Sequence, residues 1–427
     1  MTVRNVRLRC FTRTGGELSA RIVVVHRYFW PDAAPYASIL RSIADRWAQD
    51  GDTIQVLTAQ PSYNRTRGRQ PARERLGLLD VERVPVADEH RFRVGQVVNL
   101  IIFPLMIAAK ILMGPKPDIV MCSTAPQVTL GFIVSWVARR RGAKFIYHCM
   151  DLQPEIGRLS GEFGNSLVYR ALLVADKKTM ERASRIVVLS DDMRRATLRR
   201  DARLQQKLVV LNNFALPDFT SRTEPQCQAR YERRPGATMI VFTGNIGRFQ
   251  RLKEVVAALG TVDVDVDLVF MGEGKALPAL RVAADKVRNP HLRVTFLPHG
   301  SPWEARALMN QADLGLVSLA PNVVRYAYPS KTATYLCEGL PVLIYCEDDS
   351  ELSRAVTDRR AGWTASTPDE LVAAVQSAAE TFGDEDATKK LIDRVQQWAA
   401  EEFAAEHALT KWVRLRDGLR DGIVDDV

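Results

Sequence analysis

Short runs of Val, Ile and Leu recur along the chain, each followed by a longer segment with helical spacing of apolar residues. In the first half they fall at 21–25, 53–58, 119–122, 144–147, 185–189 and 208–211. The runs are continuous rather than alternating, which predicts strands buried on both faces, as in parallel sheets covered by helices. Residues 217–235, rich in charge, Gln and Pro, have no apolar period and read as an interdomain linker. The series resumes at 239–242, 268–271, 294–297, 314–319 and 341–345. The segments between strands are amphipathic: Leu252, Val255, Val256 and Leu259 fall at i, i+3, i+4 and i+7. From residue 368 to about 420 the pattern is helical without strands, with Trp398 and Trp412 as anchors. Two doubly wound α/β domains in tandem follow, 21–216 and 236–390. A disordered lead-in, 1–20, precedes them, and helices at 391–427 pack back on the first domain. Ligands of such sheets bind beyond the carboxyl ends of the strands, so two facing domains make a cleft lined by strand-to-helix loops.

The chain has 427 residues, 46% hydrophobic and 26% charged, which suits two soluble cores and excludes a disordered, collagenous or polytopic membrane protein. The formal charge of +9 is unevenly spread, +15 over residues 1–215 and −6 over 216–427. An anionic partner surface would therefore meet the first half. Six cysteines form no CxxC pair and read as reduced and cytosolic. The apolar run 100–109, interrupted by Pro104, is too short to span a bilayer. These features predict a cytoplasmic protein.

Two loops carry candidate chemistry. Thr243-Gly244-Asn245-Ile246-Gly247-Arg248 follows a strand and precedes a helix starting near Arg251. Its glycines permit close backbone approach to a ligand, and Arg248 offers a planar fork suited to phosphate. A plain tight turn is the competing reading. The second is Tyr328-Pro329-Ser330-Lys331 before an apolar helix. Here Ser330 reads as a cap, while Lys331 in the first turn opposes the helix dipole and would suit a bound diphosphate. An ordinary cap beside a surface lysine is the alternative.

The order of these two loops with Gly272-Glu273-Gly274, Ala312-Asp313-Leu314-Gly315-Leu316 and Glu338-Gly339-Leu340-Pro341-Val342 resembles glycosyltransferase family 4. These are retaining, nucleotide-sugar-dependent enzymes of the GT-B fold. The likeness is closest to bacterial members that build exopolysaccharide, O-antigen and colanic acid chains. It continues through Tyr28-Phe29-Trp30-Pro31, Ser123-Thr124-Ala125-Pro126 and the stretch from Tyr147 to Glu155, covering roughly residues 20–415.

The resemblance implies that the first domain binds the acceptor and the second the nucleotide sugar. Arg248 and Lys331 would grip the donor diphosphate, with Ser330 and the amides of Gly244 and Asn245 beside it. Leu297 opens the loop that would hold the base. Asp151 would orient or deprotonate the acceptor hydroxyl, a helix-capping or turn role being the alternative; His148 and His26 read as core histidines at strand ends, although His26 faces the cleft in this topology. No cofactor is implied beyond the donor, which is a substrate, and no metal, because neither phosphate loop has a DxD-like pair. The implied acceptor is a lipid-linked glycan on the cytoplasmic face of an anionic membrane.

Two departures stand out. The family commonly has two glutamates separated by seven residues; Tyr326 and Thr334 occupy those positions, with Glu338 one helical turn beyond. Arg251 stands where the family commonly has Gly. On the membrane side, 96–113 reads as an interfacial or a buried helix. Basic clusters at Arg65, Arg67, Arg69, Arg73 and Arg75, at 139–141, and at Arg194, Arg195, Arg199 and Arg200 fit attraction to an anionic leaflet. Competing classes are a nucleotide-sugar epimerase on the same fold, an inactive partner of another transferase, and a basic nucleic-acid-binding protein suggested by a pI near 9.3. The last lacks aromatics interleaved with the Arg clusters and any groove-reading motif.

Overall fold

The computed structural model describes residues 19–32, 34–62, 69–87, 93–161, 165–214 and 231–422. The predicted lead-in, most of the predicted linker, Arg65 and Arg67 lie outside them. The continuous apolar runs form the central strands of two sheets. The first holds β1 (Arg21–Val25), β2 (Thr53–Ala59), β3 (Arg73–Leu76), β4 (Leu79–Val84), β5 (Ile119–Ser123), β6 (Lys144–Cys149), β7 (Arg185–Val188) and β8 (Leu208–Val210). Their spatial order is β3-β4-β2-β1-β5-β6-β7-β8, parallel except for β3 against β4. The second holds β9 (Thr238–Thr243), β10 (Val266–Met271), β11 (Leu292–Leu297), β12 (Leu314–Ser318), β13 (Val342–Tyr345) and β14 (Gly362–Ala365), ordered β11-β10-β9-β12-β13-β14 and wholly parallel. Strands β3, β4 and β14 are additions to the sequence expectation.

Helices cover both faces of each sheet. In the first domain these are α1 (Pro35–Gln49), α2 (Arg93–Met113), α3 (Thr129–Arg140), α4 (Glu155–Leu159), α5 (Ser166–Arg182) and α6 (Asp191–Arg200). In the second they are α7 (Leu252–Leu259), α8 (Leu277–Ala284), α9 (Pro302–Met309), α10 (Lys331–Cys337), α11 (Glu351–Arg359), α12 (Pro368–Phe382) and α13 (Glu385–Trp398); a π-helical turn, Ala399–Phe403, leads to α14 (Ala405–Asp421). Local sequence fixes several starts. Asn165 accepts from the Leu167 and Val168 amides, and Ser301-Pro302 with Glu304, like Thr367-Pro368 with Glu370, closes a reciprocal capping box.

One core layer lies between the first sheet and α2, α3, α5 and α6. The opposite layer packs α1 and also α14, which crosses back from the second domain. There Trp47 donates to the Trp412 carbonyl at 3.3 Å, and the buried Arg416 pairs with Asp50 and Asp52 at 3.0 and 2.9 Å. The domains also meet beside the cleft. Leu152 N–H donates to Tyr326 O at 2.7 Å, and Asp151 forms an antiparallel bridge with Ala327. The first turns of α6 and α11 cap each other: Asp191 N–H donates to Glu351, and Glu351 N–H donates to Asp192 at 2.7 Å.

Half of the described arginines in the basic clusters are engaged within the fold. Arg200 is a buried strut, not a surface charge, because it bonds Glu155, Asp176 and the Gln153 carbonyl. Arg194 and Arg195 pair with Asp191 and Asp192, Arg73 with Glu82, and Arg141 donates to Gly114 O. Among the described residues no helix is long and apolar enough to cross a membrane.

Candidate functional site

The strand order reverses between β9 and β12, because β10 and β11 lie on one side of β9 and β13 and β14 beyond β12. The crevice at such a switch point is where open α/β sheets hold ligands. The loop leaving β9 carries Gly244, Asn245 and Arg248. Gly244 adopts φ +102°, a conformation that disfavours a side chain, and its N–H donates to Met271 O at 2.8 Å. The neighbouring loop after β10 locks against it. A Cβ on Gly272 would stand 1.9 Å from Gly244 O, and one on Gly274 would stand 2.1 Å from Ile246 O. The Gly272-Glu273-Gly274 element thus owes its glycines to backbone packing that shapes the adjacent loop. Leu297, at the end of β11, adjoins the same cluster through a 3.5 Å bond from Gly272 N–H to its carbonyl.

Helix α10 supplies the opposite wall. The Tyr335 hydroxyl accepts from Thr243 N–H at 3.0 Å, tying this helix to the start of the glycine loop. Lys331 opens α10, with its amine 4.4 Å from the Phe242 ring centroid. A Cβ on Gly244 would meet Lys331 Cε and Nζ at 3.6 and 3.7 Å. Lys331 is half-buried, and desolvation of its amine lowers its pKa from 10.5 to about 8. Among the described residues no carboxylate pairs with it. Ser330 does not cap α10 as its sequence context suggests. It sits in the helical region, at φ −57° and ψ −20°, rather than the extended conformation that turns a side chain back onto the amides, so its exposed hydroxyl is left for another partner. Arg248 is exposed, with no ion pair among the described residues.

Asp151 approaches from the first domain. Its bridge to Ala327 places it three residues of chain from Ser330 across the interdomain seam. Desolvation pushes its carboxyl up to about 6. Asp151 beyond β6, Gly244, Asn245 and Arg248 in the loop after β9, Leu297 at the end of β11, and Ser330 and Lys331 at the start of α10 thus come to one cleft from four separate segments.

Residues 36–213 match the glycosyl transferase 4-like domain. No curated protein sequence matches the chain. Among solved structures it is similar to Anabaena HepE in complex with UDP-glucose, at TM-score 0.64 and 13% identity over 93% of this chain and 100% of that one. It is also similar to the Escherichia coli trehalose-6-phosphate structure bound with UDP-2-fluoro glucose, at TM-score 0.63 and 11% identity over 92% and 98%. A third is the Burkholderia multivorans alpha,alpha-trehalose 6-phosphate synthase, at 0.65 and 12% over 95% and 97%. The first domain thus matches a glycosyltransferase family model, and the two domains together take the GT-B fold of these structures.

On this fold the departures acquire definite surroundings. Tyr326 packs between the two domain cores, and its carbonyl takes the Leu152 amide. Thr334 is exposed and donates back to Ser330 O at 3.4 Å. Glu338, one helical turn beyond, is paired with Arg306 at 2.6 Å. Arg251 is held away from open solvent by contacts within the second domain. It adopts φ +43° and folds over the Tyr345 ring at 4.4 Å, bonding Glu254 and the Tyr345 hydroxyl.

The two strand-end histidines are structural. Tyr36 Oη lies 2.8 Å from His148 Nδ1, and the Trp412 ring lies against the same imidazole. His26 bonds Ser123 across β1 and β5. Burial lowers both pKa values to about 3 and keeps both rings neutral near pH 7.

Proposed function

We propose that this protein is a retaining, metal-independent glycosyltransferase. It moves a sugar from a nucleoside diphosphate to a lipid-linked glycan at the cytoplasmic membrane face, in cell-surface polysaccharide synthesis. The observation that carries the reading is the Lys331 amine: a half-buried, desolvated cation, without a carboxylate among the described residues, against the glycine turn of a GT-B cleft. A protein tolerates such a group where an anion completes it. As the sugar–phosphate bond breaks, negative charge gathers on the leaving diphosphate. Lys331, Arg248, the Ser330 hydroxyl and the loop amides would stabilise it, supplying the positive charge that a metal ion provides elsewhere. The Leu297 loop would bound the base.

Asp151 reaches the cleft from the acceptor domain. With a pKa near 6 it is ionised at neutral pH, yet basic enough to orient and draw the proton of an acceptor hydroxyl. Uridine is the first base to try, since similar structures hold UDP and UDP-sugars. The test is a thermal-shift screen of UDP, GDP, dTDP and their sugars, followed by transfer to membrane lipid extract. Stabilisation by one nucleotide family, with sugar incorporated into lipid, is expected. If no nucleotide stabilises the protein and no donor is transferred or hydrolysed, the reading fails. Donor conversion without an acceptor would replace transfer by epimerisation.

A further inference from the structure

Large apolar side chains left in water are concentrated on one face of this molecule. Among the described residues thirteen are exposed, and ten of these lie on α2, α3 and α5, against one, Val282, in the whole second domain. On α2 they are Val98, Ile101, Ile102, Leu105, Leu112 and Met113. Their spacing traces one stripe, opposite the stripe of Phe103, Ile107 and Ile111 that enters the core. A helix packed on a sheet normally turns charge outward; this one is apolar on both sides and contains no Asp or Glu. Trp136 continues the patch onto α3, which packs between α2 and α5, and Leu167, Val168 and Val174 carry it across α5. Patches of this kind mark interaction surfaces.

Among the described residues the exposed charge on these three helices is mostly basic. Helix α3 also lacks acidic residues and ends in the exposed Arg139 and Arg140, with the Arg140 guanidinium 5.6 Å from the Trp136 ring centroid. Helix α5 adds exposed Arg170 and Lys178; its two acids are the buried Asp176, held by Arg200, and Glu181 at the far end. A second copy of the chain joined symmetrically through this face would set this basic rim against itself. An anionic bilayer complements both the apolar centre and the rim.

The parallel strands of the first sheet end at the cleft, and α2 and α5 run back from that end. The Asn99 side chain clips α2 to the Ala87 backbone with two 2.9 Å bonds just beyond β4. Ile101, Ile102, Leu167 and Leu105 therefore lie toward the cleft mouth.

We propose that the outer face of α2, α3 and α5 inserts into the interfacial layer of an anionic bilayer and brings the cleft mouth to the lipid surface. The proposal rests on the transfer reading for its purpose, but not for its test. Because half of the described cluster arginines are engaged within the fold and the apolar stripe runs along α2, apolar insertion dominates, and binding survives salt that abolishes purely electrostatic adsorption. The full-length protein is sedimented with phosphatidylcholine vesicles, with and without about 30 mol% phosphatidylglycerol. The assay is run at low salt and at about 1 M salt, where the Debye length is ~3 Å. Binding should favour the anionic vesicles and fall no more than about tenfold in high salt. The triple variant Ile101→Ser, Ile102→Ser, Leu105→Ser should lose at least about tenfold in partitioning, with Val282→Ser unchanged. Trp136→Phe should remove part of the vesicle-induced blue shift in fluorescence. An unaltered melting temperature and nucleotide response in the triple variant shows that its fold and donor site are intact. Failure of nucleotide binding alone would sink the transfer reading and leave this one standing. Absence of vesicle binding by the native chain, equal binding by the triple variant, or a dimer that the triple variant dissolves would each overturn it.

Discussion

Replacing Lys331 by Met should make the protein more stable and less able to bind its donor, a combination that a structural lysine could not produce. A lysine whose pKa falls from 10.5 to about 8 carries roughly 3 kcal/mol of desolvation penalty in the folded protein while it is charged. The folded pKa lies below the unfolded one, so between about pH 8 and 10.5 the unfolded chain binds more protons and stability rises with pH. Below about 8 the penalty is complete. Methionine keeps the volume and removes the charge. Allowing for the lost contact with Phe242, a gain of about 1–3 kcal/mol is expected, or a few degrees in Tm for domains of this size. The same change deletes a charge-assisted contact to phosphate, worth about 1.5–3 kcal/mol, or roughly 10–150-fold in affinity for the nucleoside diphosphate. Transfer should slow by about 10²–10³-fold. Differential scanning calorimetry and titration calorimetry with UDP, at about pH 7 and 9, read both arms. In the native protein donor affinity should weaken above about pH 8 as the amine loses its proton. A variant that melts earlier yet binds nucleotide as tightly as the native chain would show that the amine has a partner within the fold, and would refute the argument.

Asp151→Asn should leave nucleotide binding intact and lower transfer by about 10²–10⁴-fold, and the native rate should fall as pH drops through about 6 and the carboxylate is protonated. Gly274→Ala sets a methyl group against the Ile246 carbonyl, so urea unfolding should register a loss of at least about 2 kcal/mol together with weaker donor binding. His26 and His148 have folded pKa values near 3, below the unfolded 6.5, so their contribution is full above about 6.5 and is lost as pH falls toward 3. Denaturant titrations should show a slope of about 1.4 kcal/mol per pH unit from each histidine in that window, and one fewer contributor in His148→Phe.

Some of this architecture is written locally and some is not. The run Arg21–Val25 emerges as a strand with unchanged bounds because a strand buried on both faces must be apolar throughout. Strand β3 reads Arg-Glu-Arg-Leu; an edge strand beside solvent has no such requirement, and its polarity disguised it. Strand β14 opens with Gly362, where a Cβ would stand 2.0 Å from Val342 O, so the residue that signals a loop is there to let two backbones meet. The glycine turn at Gly244 and the helix start at Lys331 are legible because each pairs a breaker with a cation beside a strand or helix end, and the structure brings the two within contact distance. Ser330 misled because its capping role depends on a backbone angle, not on residue type. Arg200 misled because no local pattern distinguishes a solvated guanidinium from one enclosed by Glu155 and Asp176 from other helices.

The return of α14 to the first domain has a temporal consequence. Trp47 and Trp412 share a core layer although 365 positions separate them, and Leu415 and Leu419 seal the same layer. During synthesis the first domain emerges with one side of its sheet uncovered, and the residues that close it emerge only after the whole second domain. The domain begun first is thus completed last, after the second domain has had time to fold. A chain halted before residue 405 would present an open apolar face to whatever it meets, so for this molecule truncation near the end strikes at the stability of the beginning.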